Sequence, residues 1–463
     1  MLTGEFAGQW WLPDQPERRF GGVLKLVPGE EPTLHVMASI STLQERFASD
    51  PIEHPVILGT IATGKAVTLL RAFESGGQVN FMAPDSGDTV IRAARALVGD
   101  HFEAAEQARF RAITVRLSSL SGWLPPPLIK RDIDHDHGRL ARAVLTFVPE
   151  PDIEVRLPFG RLSLGFDYRL AGNQRDNAEI TQGTWVTARA NRRNALDWWL
   201  KRLVKPLRYL LALATERPIE LTEMYLQPTA NGTENQVELV WASDRLPDMP
   251  SSALDAHQML FWYADLADRL DSALASWFAA VEVLEDVFDQ YFATFNTTRS
   301  YVETRFLMTV GAAEAYHRER IGGTDASVGV HRERVSQARK GVAPEHREWL
   351  DSRLGNEPAL LQRIVDLCVD VPQVAGLVVG EDLTAFARAI RDARNFRTHM
   401  DRRRLAPGGR LNLVRLSAQL GVILEAVMLR RELGFEPPDI ASRMERASRL
   451  LRLARAAERK VVG

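Results

Sequence analysis

The chain has 463 residues, of which 45% are apolar and 25% charged, and its formal net charge at pH 7 is −2. This length is too great for one simple hydrophobic core and predicts two or three domains. The near-neutral charge excludes a global signal for nucleic-acid or membrane binding, so any such signal must be local. The single cysteine, Cys368, excludes an intrachain disulfide and favours a reducing compartment. We expect its thiol to be a small buried apolar group rather than a nucleophile.

The N-terminal sequence MLTGEFAGQWWLP lacks the basic and apolar segments of a signal peptide. The most apolar segment, LNLVRLSAQLGVILEAVML, is interrupted by Arg415, Gln419 and Glu425. It therefore contains no uninterrupted apolar run of about 18 residues, the length that marks a membrane helix. We expect a cytoplasmic protein with no membrane partner.

The first 190 residues predict a mostly antiparallel sheet, arranged as a sandwich or a barrel. GGVLKLVPGEEPTLHVMA has two alternating runs around a Pro-Gly turn, which is typical of a β-hairpin. Alternation with intervening turn residues continues in HPVILGT, AVTLLRAF, RFRAITVRLSSL, RAVLTFVPEPDIEVRLP and RLSLGFDYRL. Segment 89–108 is an exception, because its apolar residues have helical spacing.

The pattern then changes to helix. Residues 194–216 predict a helix that Pro206 would kink, residues 217–243 return to strands, and helical spacing dominates from about residue 255. The expected fold class is α+β. A β-rich antiparallel N-terminal domain with some helices (1–290) precedes an all-α helical bundle (296–463).

The segment GTIATGKA, residues 59–66, matches most of a phosphate-binding loop. Ala66, however, occupies the position where Ser or Thr would ligate magnesium. The following AVTLL has strand character, whereas a phosphate loop opens a helix. We interpret the segment as a hairpin turn.

The segment RDIDHDHG, residues 131–138, concentrates acidic and imidazole side chains. In an extended chain His135 and His137 would lie on one face and could share a metal ion. No third ligand follows at metal-site spacing, and a polar loop explains the composition equally well.

Two further features have structural and functional interpretations. The tryptophans at positions 10, 11, 198, 199 and 262 are expected in a core or an interface, with base stacking as the alternative. The last predicted helix, 442–460, has seven basic residues and two glutamates. Such a helix is a solvated face or contacts a phosphate backbone.

The strongest candidate site lies in RDARNFRTHM, residues 391–400. Arginine followed by histidine after four to six intervening residues occurs at Arg95–His101, Arg131–His137, Arg339–His346 and Arg394–His399. Only the last pair lies in a strongly periodic helix, where an apolar stripe runs into the arginine; the stripe is Leu383, Phe386, Ile390 and Ala393. A guanidinium at the end of a buried stripe is costly unless it is paired or lies at an interface.

Helix geometry separates the three residues of this site. Asn395 and His399 share a helix face, but Arg394 and His399 are about 140° apart. They converge only if Arg394 reaches round, the helix distorts or a second subunit brings its own copy close. Residues 391–410 contain seven arginines and two aspartates, and this local charge of +5 would attract a phosphodiester.

These residue types suit RNA cleavage. Histidine transfers protons near neutral pH, arginine holds two phosphate oxygens and asparagine orients a neighbouring group. The chemistry needs no metal. The alternative is a solvated arginine-rich helix with an incidental histidine.

Arg394, Asn395 and His399 fit R-N-x-x-x-H, a pattern that resembles the HEPN superfamily. The segment TRSYVETRFLMTVGAAEAYHRER (298–320) resembles the first long helix of an ApeA-type HEPN domain, through Arg305-Phe306 and Glu314–His317. GQWWLPDQPERRFGGVLKL (8–26) and GTIATGKAVTLL resemble the start of the ApeA N-terminal domain.

The resemblance implies a single-gene bacterial anti-phage system that acts by abortive infection. Its HEPN domain would be a metal-independent endoribonuclease without cofactors, paired in a homodimer that brings two Arg–His sets together. His399 would be the general acid/base, Arg394 would bind phosphate and Asn395 would position them. Glu314, four residues before Arg318, is expected to help hold an arginine without a catalytic role.

RNA would be the substrate, and the N-terminal domain would sense an unidentified phage-derived trigger. The alternative function is a non-catalytic dimerisation or RNA-binding module, with recognition by the β-rich domain.

Overall fold

The computed structural model describes residues 2–38, 40–41, 52–79, 87–125, 129–148, 151–173, 178–228, 236–243, 254–296, 301–351, 353–399 and 409–446. The chain divides into two compact units. Unit 1 comprises residues 1–208 and 219–253, and unit 2 comprises residues 209–218 and 254–463. The domain limits 1–290 and 296–463 remain a prediction.

The first part of unit 1 is a six-stranded antiparallel barrel. Its strands are β1 (Gly4–Trp11), β2 (Phe20–Leu26), β3 (Thr33–Val36), β4 (Glu53–Ile61), β5 (Ala66–Val79) and β6 (Gly87–Val98). They pair in the order β6-β3-β2-β1-β4-β5, and β5 also pairs with β6. This last pairing closes the barrel, so that its strands satisfy one another's backbone groups.

The barrel core explains the glycines of GTIATGKA. Trp10 is fully buried in a cluster with Leu24 and Leu69. A Cβ atom on Gly59 would lie 2.1 Å from Cε3 of Trp10, so no larger residue fits there without repacking. Gly64 has a φ of +81° in the turn between β4 and β5, a conformation that glycine adopts without strain. The predicted hairpin turn is confirmed.

The helix predicted within 89–108 is wrong, because residues 89–98 belong to β6. The small side chains of Ala93 and Ala96 are buried in the barrel core, whereas Arg92 is exposed. Alanine and arginine favour helices in isolation, but the pairing of β6 with both β3 and β5 overrides that preference.

Unit 1 has eight further described strands, and six of them extend the sheet away from the barrel. They are β7 (Arg109–Leu117), β8 (Ile129–Asp136), β9 (Arg139–Phe147), β10 (Ile153–Leu157), β11 (Gly160–Gly172), β12 (Ala178–Ala195), β13 (Leu221–Gln227) and β14 (Val237–Trp241). The sheet runs β6-β14-β13-β7-β12-β11-β10, with antiparallel neighbours throughout. The strands predicted between residues 217 and 243 are therefore confirmed.

Strands β8 and β9 form a separate hairpin. His137 has a φ of +45° and lies in its turn, so the two histidines do not share an extended strand face as the metal hypothesis required. No group of three or more His, Cys, Asp or Glu side chains in the described part of the chain is placed to hold a metal ion.

The helix predicted at 194–216 is present but irregular. A short helix, α1 (Leu120–Trp123), precedes it, and the segment itself consists of α2 (Leu196–Trp199), a π-helical turn (Leu200–Val204) and α3 (Lys205–Thr215). The π-helical turn ends two residues before Pro206, which cannot donate a backbone hydrogen bond to residue 202.

The described part of unit 2 after residue 254 is helical, as predicted. Its α-helices are α4 (Leu270–Val283), α5 (Glu285–Asn296), α6 (Val302–Arg320), α7 (Val328–Lys340), α8 (Arg347–Asp351), α9 (Leu360–Asp370), α10 (Pro372–Val378), α11 (Leu383–His399), α12 (Gly409–Arg431) and α13 (Pro437–Arg446). Short 3-10 turns occur here at Ala256–Gln258, Tyr263–Asp265, Ala267–Arg269 and Pro344–His346, and unit 1 has one at Ala105–Gln107. Of the predicted helix 442–460, residues 447–460 lie outside the described residues.

Helix α12 packs against α6, α9, α10, α11 and α13. Its segment Asn412–Arg431 is long and apolar enough to cross a membrane by length and composition, but 78% of its apolar stretch is buried within the structure. A buried carboxylate in the middle of the helix, that of Glu425, accepts a hydrogen bond of 2.8 Å from the Tyr291 hydroxyl. Core packing therefore accounts for the apolar character of this helix.

Candidate active site

The apolar stripe of α11 places Arg394 at the edge of the core. Phe386, Ile390 and Ala393 are buried, and the helix packs against α6 and α9. The first free backbone N–H groups of α11 are partly satisfied by Asp382, whose carboxylate accepts a hydrogen bond of 2.8 Å from the Ala385 amide. The Arg394 side chain is 36% exposed, so its guanidinium lies where core and solvent meet.

Arg394 is held by an acidic side chain of α6. Its Nη2 atom lies 3.8 Å from Oε2 of Glu314, and its Nη1 donates a hydrogen bond of 3.4 Å to Oδ1 of Asn395. Glu314 also lies 4.0 Å from Nη2 of Arg318. The expectation that Glu314 helps hold an arginine is confirmed, and the same carboxylate is shared by two guanidinium groups.

The neighbouring arginines of α11 are also paired. Nη1 of Arg397 lies 3.7 Å from Oε1 of Glu303 on α6, and Nη2 of Arg391 lies 2.7 Å from Oδ1 of Asp392. The positive charge predicted for residues 391–410 therefore depends on the arginines at 402, 403, 404 and 410, whose side chains lie outside the described residues.

His399 is the last residue of α11, and its side chain lies outside the described residues. The backbone is α-helical without interruption from Leu383 to His399, which argues against a distorted helix. The separation of about 140° between positions 394 and 399 therefore stands. The Arg394 and His399 side chains can then meet only if Arg394 extends round the helix or if a second copy of the helix lies close by.

A layer of buried contacts supports Glu314. Arg363 of α9 is buried and donates a hydrogen bond of 3.4 Å to the Glu314 carbonyl oxygen and one of 2.6 Å to the Glu357 carboxylate. One turn along α6, His317 is fully buried, and its Nε2 lies 2.9 Å from Oδ2 of Asp366. These contacts join α6 to α9 behind the arginine. Sequence spacing did not identify Arg363 or Asp366 as supporting residues.

Tyr316 anchors the other side of α6. Its hydroxyl donates a hydrogen bond of 2.6 Å to Glu432, which also accepts a hydrogen bond of 2.9 Å from Arg320. Burial and the negative charge of Glu432 raise the pKa of Tyr316 well above its ordinary value. The helix that carries Glu314 is thus fixed by polar contacts on two sides.

Comparisons with protein families match most of the chain. The model described as ApeA N-terminal domain 1 matches residues 5–277, and the model described as Apea-like HEPN matches residues 307–438. The second range contains Glu314, Arg394, Asn395 and His399. No match was found among curated proteins or solved structures. The two matches support an anti-phage HEPN protein, and HEPN domains typically dimerise and act on RNA.

Proposed function

Because this chain belongs to the family that joins ApeA N-terminal domain 1 to an Apea-like HEPN domain, we propose that it is a metal-independent endoribonuclease. In this proposal the protein is a cytoplasmic effector of abortive infection. Its HEPN domain cleaves RNA, and its N-terminal domain responds to a phage-derived trigger.

The proposed reaction uses the 2′-hydroxyl of RNA as the nucleophile. His399 removes the proton from that hydroxyl, the 2′-oxygen forms a bond to phosphorus, and the bond from phosphorus to the 5′-oxygen breaks. The 5′-oxygen then receives a proton from a protonated His399, in the pair of sites that a homodimer would bring together. Proton transfer of this kind contributes roughly 10²–10⁴-fold to a rate.

Arg394 supplies the electrostatic part of the mechanism. A guanidinium holds two phosphate oxygens and remains charged at every physiological pH. It stabilises the additional negative charge on the phosphate as the reaction proceeds. Asn395, whose side-chain oxygen accepts a hydrogen bond from Arg394, positions the guanidinium and the phosphate.

The observation that carries this proposal is the placement of Arg394. The half-buried Arg394 side chain starts at the end of an apolar stripe. Its guanidinium lies beside the Glu314 carboxylate, which Arg318 shares, and donates a hydrogen bond to Asn395. An incidental surface arginine needs none of these contacts. The arrangement supports a guanidinium that is oriented by the protein but still accessible to an anion.

We propose a homodimer as the active form. The uninterrupted helix keeps positions 394 and 399 about 140° apart. Two copies related by a two-fold axis would place Arg394 of one protomer near His399 of its partner. Such a dimer resolves the geometric conflict without distorting α11.

Incubation of purified protein with RNA in excess EDTA, under activating conditions, tests the proposal. Wild type is expected to shorten the RNA, and Arg394→Ala and His399→Ala are each expected to lower the rate by at least roughly 10²-fold. Arg388→Ala is the matched control, since Arg388 is an exposed arginine of α11 that lies about 120° round the helix from Arg394 and roughly 16 Å along the axis from His399. Identical RNA profiles for wild type and His399→Ala would show that the catalytic assignment is wrong.

The second candidate function is a dimerising or RNA-binding module without catalysis. The shared Glu314 carboxylate is compatible with it, because an oriented arginine also binds RNA that is not cleaved. Protein that retards RNA on a gel but leaves it at full length, even with phage components present, would favour this function.

A further inference from the structure

A row of three arginines crosses the outer face of the sheet in unit 1. Arg156 of β10 pairs directly with Arg161 of β11, which in turn pairs directly with Arg189 of β12. All three are exposed, whereas the neighbouring Leu162 and Ala188 point into the core. Directly paired residues on adjacent strands lie roughly 4.5–5.5 Å apart. The structure therefore aligns three guanidinium side chains on one solvent-facing surface, which we call the arginine row.

The arginine row is unfavourable for folding alone. Like charges directly opposite each other on adjacent strands destabilise a sheet. Within the part of the chain that the structure describes, Arg161 and Arg189 form no ion pair with an acidic side chain. The acidic residue on the adjacent rung, Glu154, lies directly opposite Ser163 and only diagonally from Arg161. A role in binding an anion explains why these positions carry charge of one sign.

A bulge adds two more guanidinium groups beside the row. The register between β12 and β7 shifts between Arg189 and Asn194, and the exposed Arg192 and Arg193 lie in that irregularity. The amide of Asn191 donates a hydrogen bond of 3.0 Å to the carbonyl of Phe159, in the turn between β10 and β11. The bulge is thus fixed against the end of the strand pair that carries the row.

Two aromatic rings lie beside the row, at the turn that joins β10 to β11. The rings of Phe159 and Trp198 are half-buried and meet edge to face, with centroids 5.5 Å apart. Trp198 packs in turn on the fully buried Trp199, whose indole N–H donates a hydrogen bond of 3.2 Å to the Phe110 carbonyl. These contacts fix the orientation of both rings. The exposed part of each ring is an apolar surface near the arginine side chains.

We propose that this face of unit 1 binds single-stranded nucleic acid. The guanidinium groups bind successive phosphates, and Phe159 and Trp198 stack against bases beside the row. An acidic protein surface would pair with the guanidinium groups, but it would leave the rings of Phe159 and Trp198 without a role. This inference is independent of the proposed nuclease activity, because binding needs neither Arg394 nor His399.

Fluorescence anisotropy of the full chain with a labelled 2′-O-methyl oligouridine tests this binding. The probe has no free 2′-hydroxyl, so cleavage cannot confuse the measurement. We expect Arg161→Glu combined with Arg189→Glu to weaken binding at least tenfold. The slope of log affinity against log salt should fall by roughly 1.4, about 0.7 for each phosphate that the protein no longer neutralises.

A charge-matched double variant, Arg139→Glu with Arg169→Glu, is the control. Both positions are exposed, and Arg169 lies eight residues from Arg161 along β11, roughly 27 Å away. Its affinity should stay within about twofold of wild type. Equal losses in both double variants, or no loss in the first, would overturn the proposal.

Three further measurements distinguish nucleic-acid binding at the arginine row from binding elsewhere and from an acidic protein partner. Arg161→Thr with Arg189→Thr should lose affinity while the melting temperature stays equal or rises, because repulsion between like charges is removed. Loss of binding in Arg394→Ala alone would assign the nucleic acid to the HEPN domain and overturn the proposal. Polyglutamate competing as well as unlabelled oligonucleotide would assign the surface to an acidic protein and would also overturn it.

Discussion

Arg394 of α11 and Glu314 of α6 form an ion pair in which the same carboxylate also approaches Arg318. A carboxylate shared between two cations neutralises neither completely. Because both side chains of the Arg394–Glu314 pair are partly exposed, solvent screens the interaction and its contribution to stability is small. The pair therefore serves mainly to orient the guanidinium.

Glu314→Gln tests this orienting role. The amide keeps the shape of the side chain but removes its charge, so we expect RNA cleavage to fall roughly tenfold, the equivalent of about 1.4 kcal/mol in the barrier. The affinity for RNA should stay equal or rise, because a negative charge leaves the site. Single-turnover cleavage and RNA binding, measured on the same protein, separate the two effects.

The chain offers a matched control in Glu303→Gln. Glu303 makes the second ion pair between α6 and α11, with Arg397, and its side chain has similar exposure. This variant should cleave RNA at nearly the wild-type rate. If both variants lose the same activity, or if Glu314→Gln melts well below wild type, then Glu314 has a general structural role instead.

Tyr316→Phe tests the buried contacts that fix α6. The variant removes the donor to Glu432, whose carboxylate keeps Arg320 as a partner. We expect the free energy of unfolding at pH 7 to fall by about 1–3 kcal/mol. Urea denaturation measures the loss, and Tyr301→Phe, at an exposed tyrosine, should leave the stability unchanged.

The difference in stability between wild type and Tyr316→Phe should also depend on pH in the alkaline range. The folded-state pKa of Tyr316 lies above its unfolded value of 10.0, so its contribution to stability is complete below pH 10 and decreases as the pH rises above it. The difference in unfolding free energy between wild type and Tyr316→Phe should therefore shrink above pH 10. A difference that grows in that range would contradict the assignment.

The fold was largely predictable because most strands have one buried face. Alternation identified the hairpins of the barrel, although it left a sandwich and a barrel as alternatives. It failed in β6, where Ala93 and Ala96 face the core and helix-favouring residues mask the strand period. The pairing of β6 with β3 joins segments that are distant in sequence, and local propensity carries no information about it.

The site was predictable only along its own helix. Periodicity placed Arg394 and Asn395 near the end of a buried stripe, which the structure confirms. Spacing on α6 suggested Arg318 as the partner of Glu314, and the structure adds Arg394 from a helix distant in sequence. The contacts of Arg363 and Asp366 with α6 were missed because Glu314 and His317 are distant from them in sequence.

Gly59→Ala tests whether close packing against Trp10 requires the first glycine of GTIATGKA. The added methyl group would overlap the Trp10 ring, and overpacking of a core of this kind costs about 1–3 kcal/mol. Lys65→Ala changes an exposed turn residue, and its effect should stay within about 0.5 kcal/mol. Thermal melts of both variants check this, and a rise in the wild-type melting temperature on adding ATP with magnesium would restore the phosphate-loop interpretation.

Cys368 should report opening of α9, the helix that supports Glu314 through Arg363. Its thiol is fully buried, and burial raises its pKa to about 12. At pH 8 only about 10⁻⁴ of it is thiolate, against about a quarter in the unfolded chain, so a disulfide reagent should label native protein very slowly.

Leu367→Ala opens a cavity beside the Cys368 thiol and should speed labelling, whereas Val369→Ala, at an exposed position, should not. Because the chain has one cysteine, rapid labelling of native wild type would show directly that α9 opens and that the support behind Arg394 is not rigid.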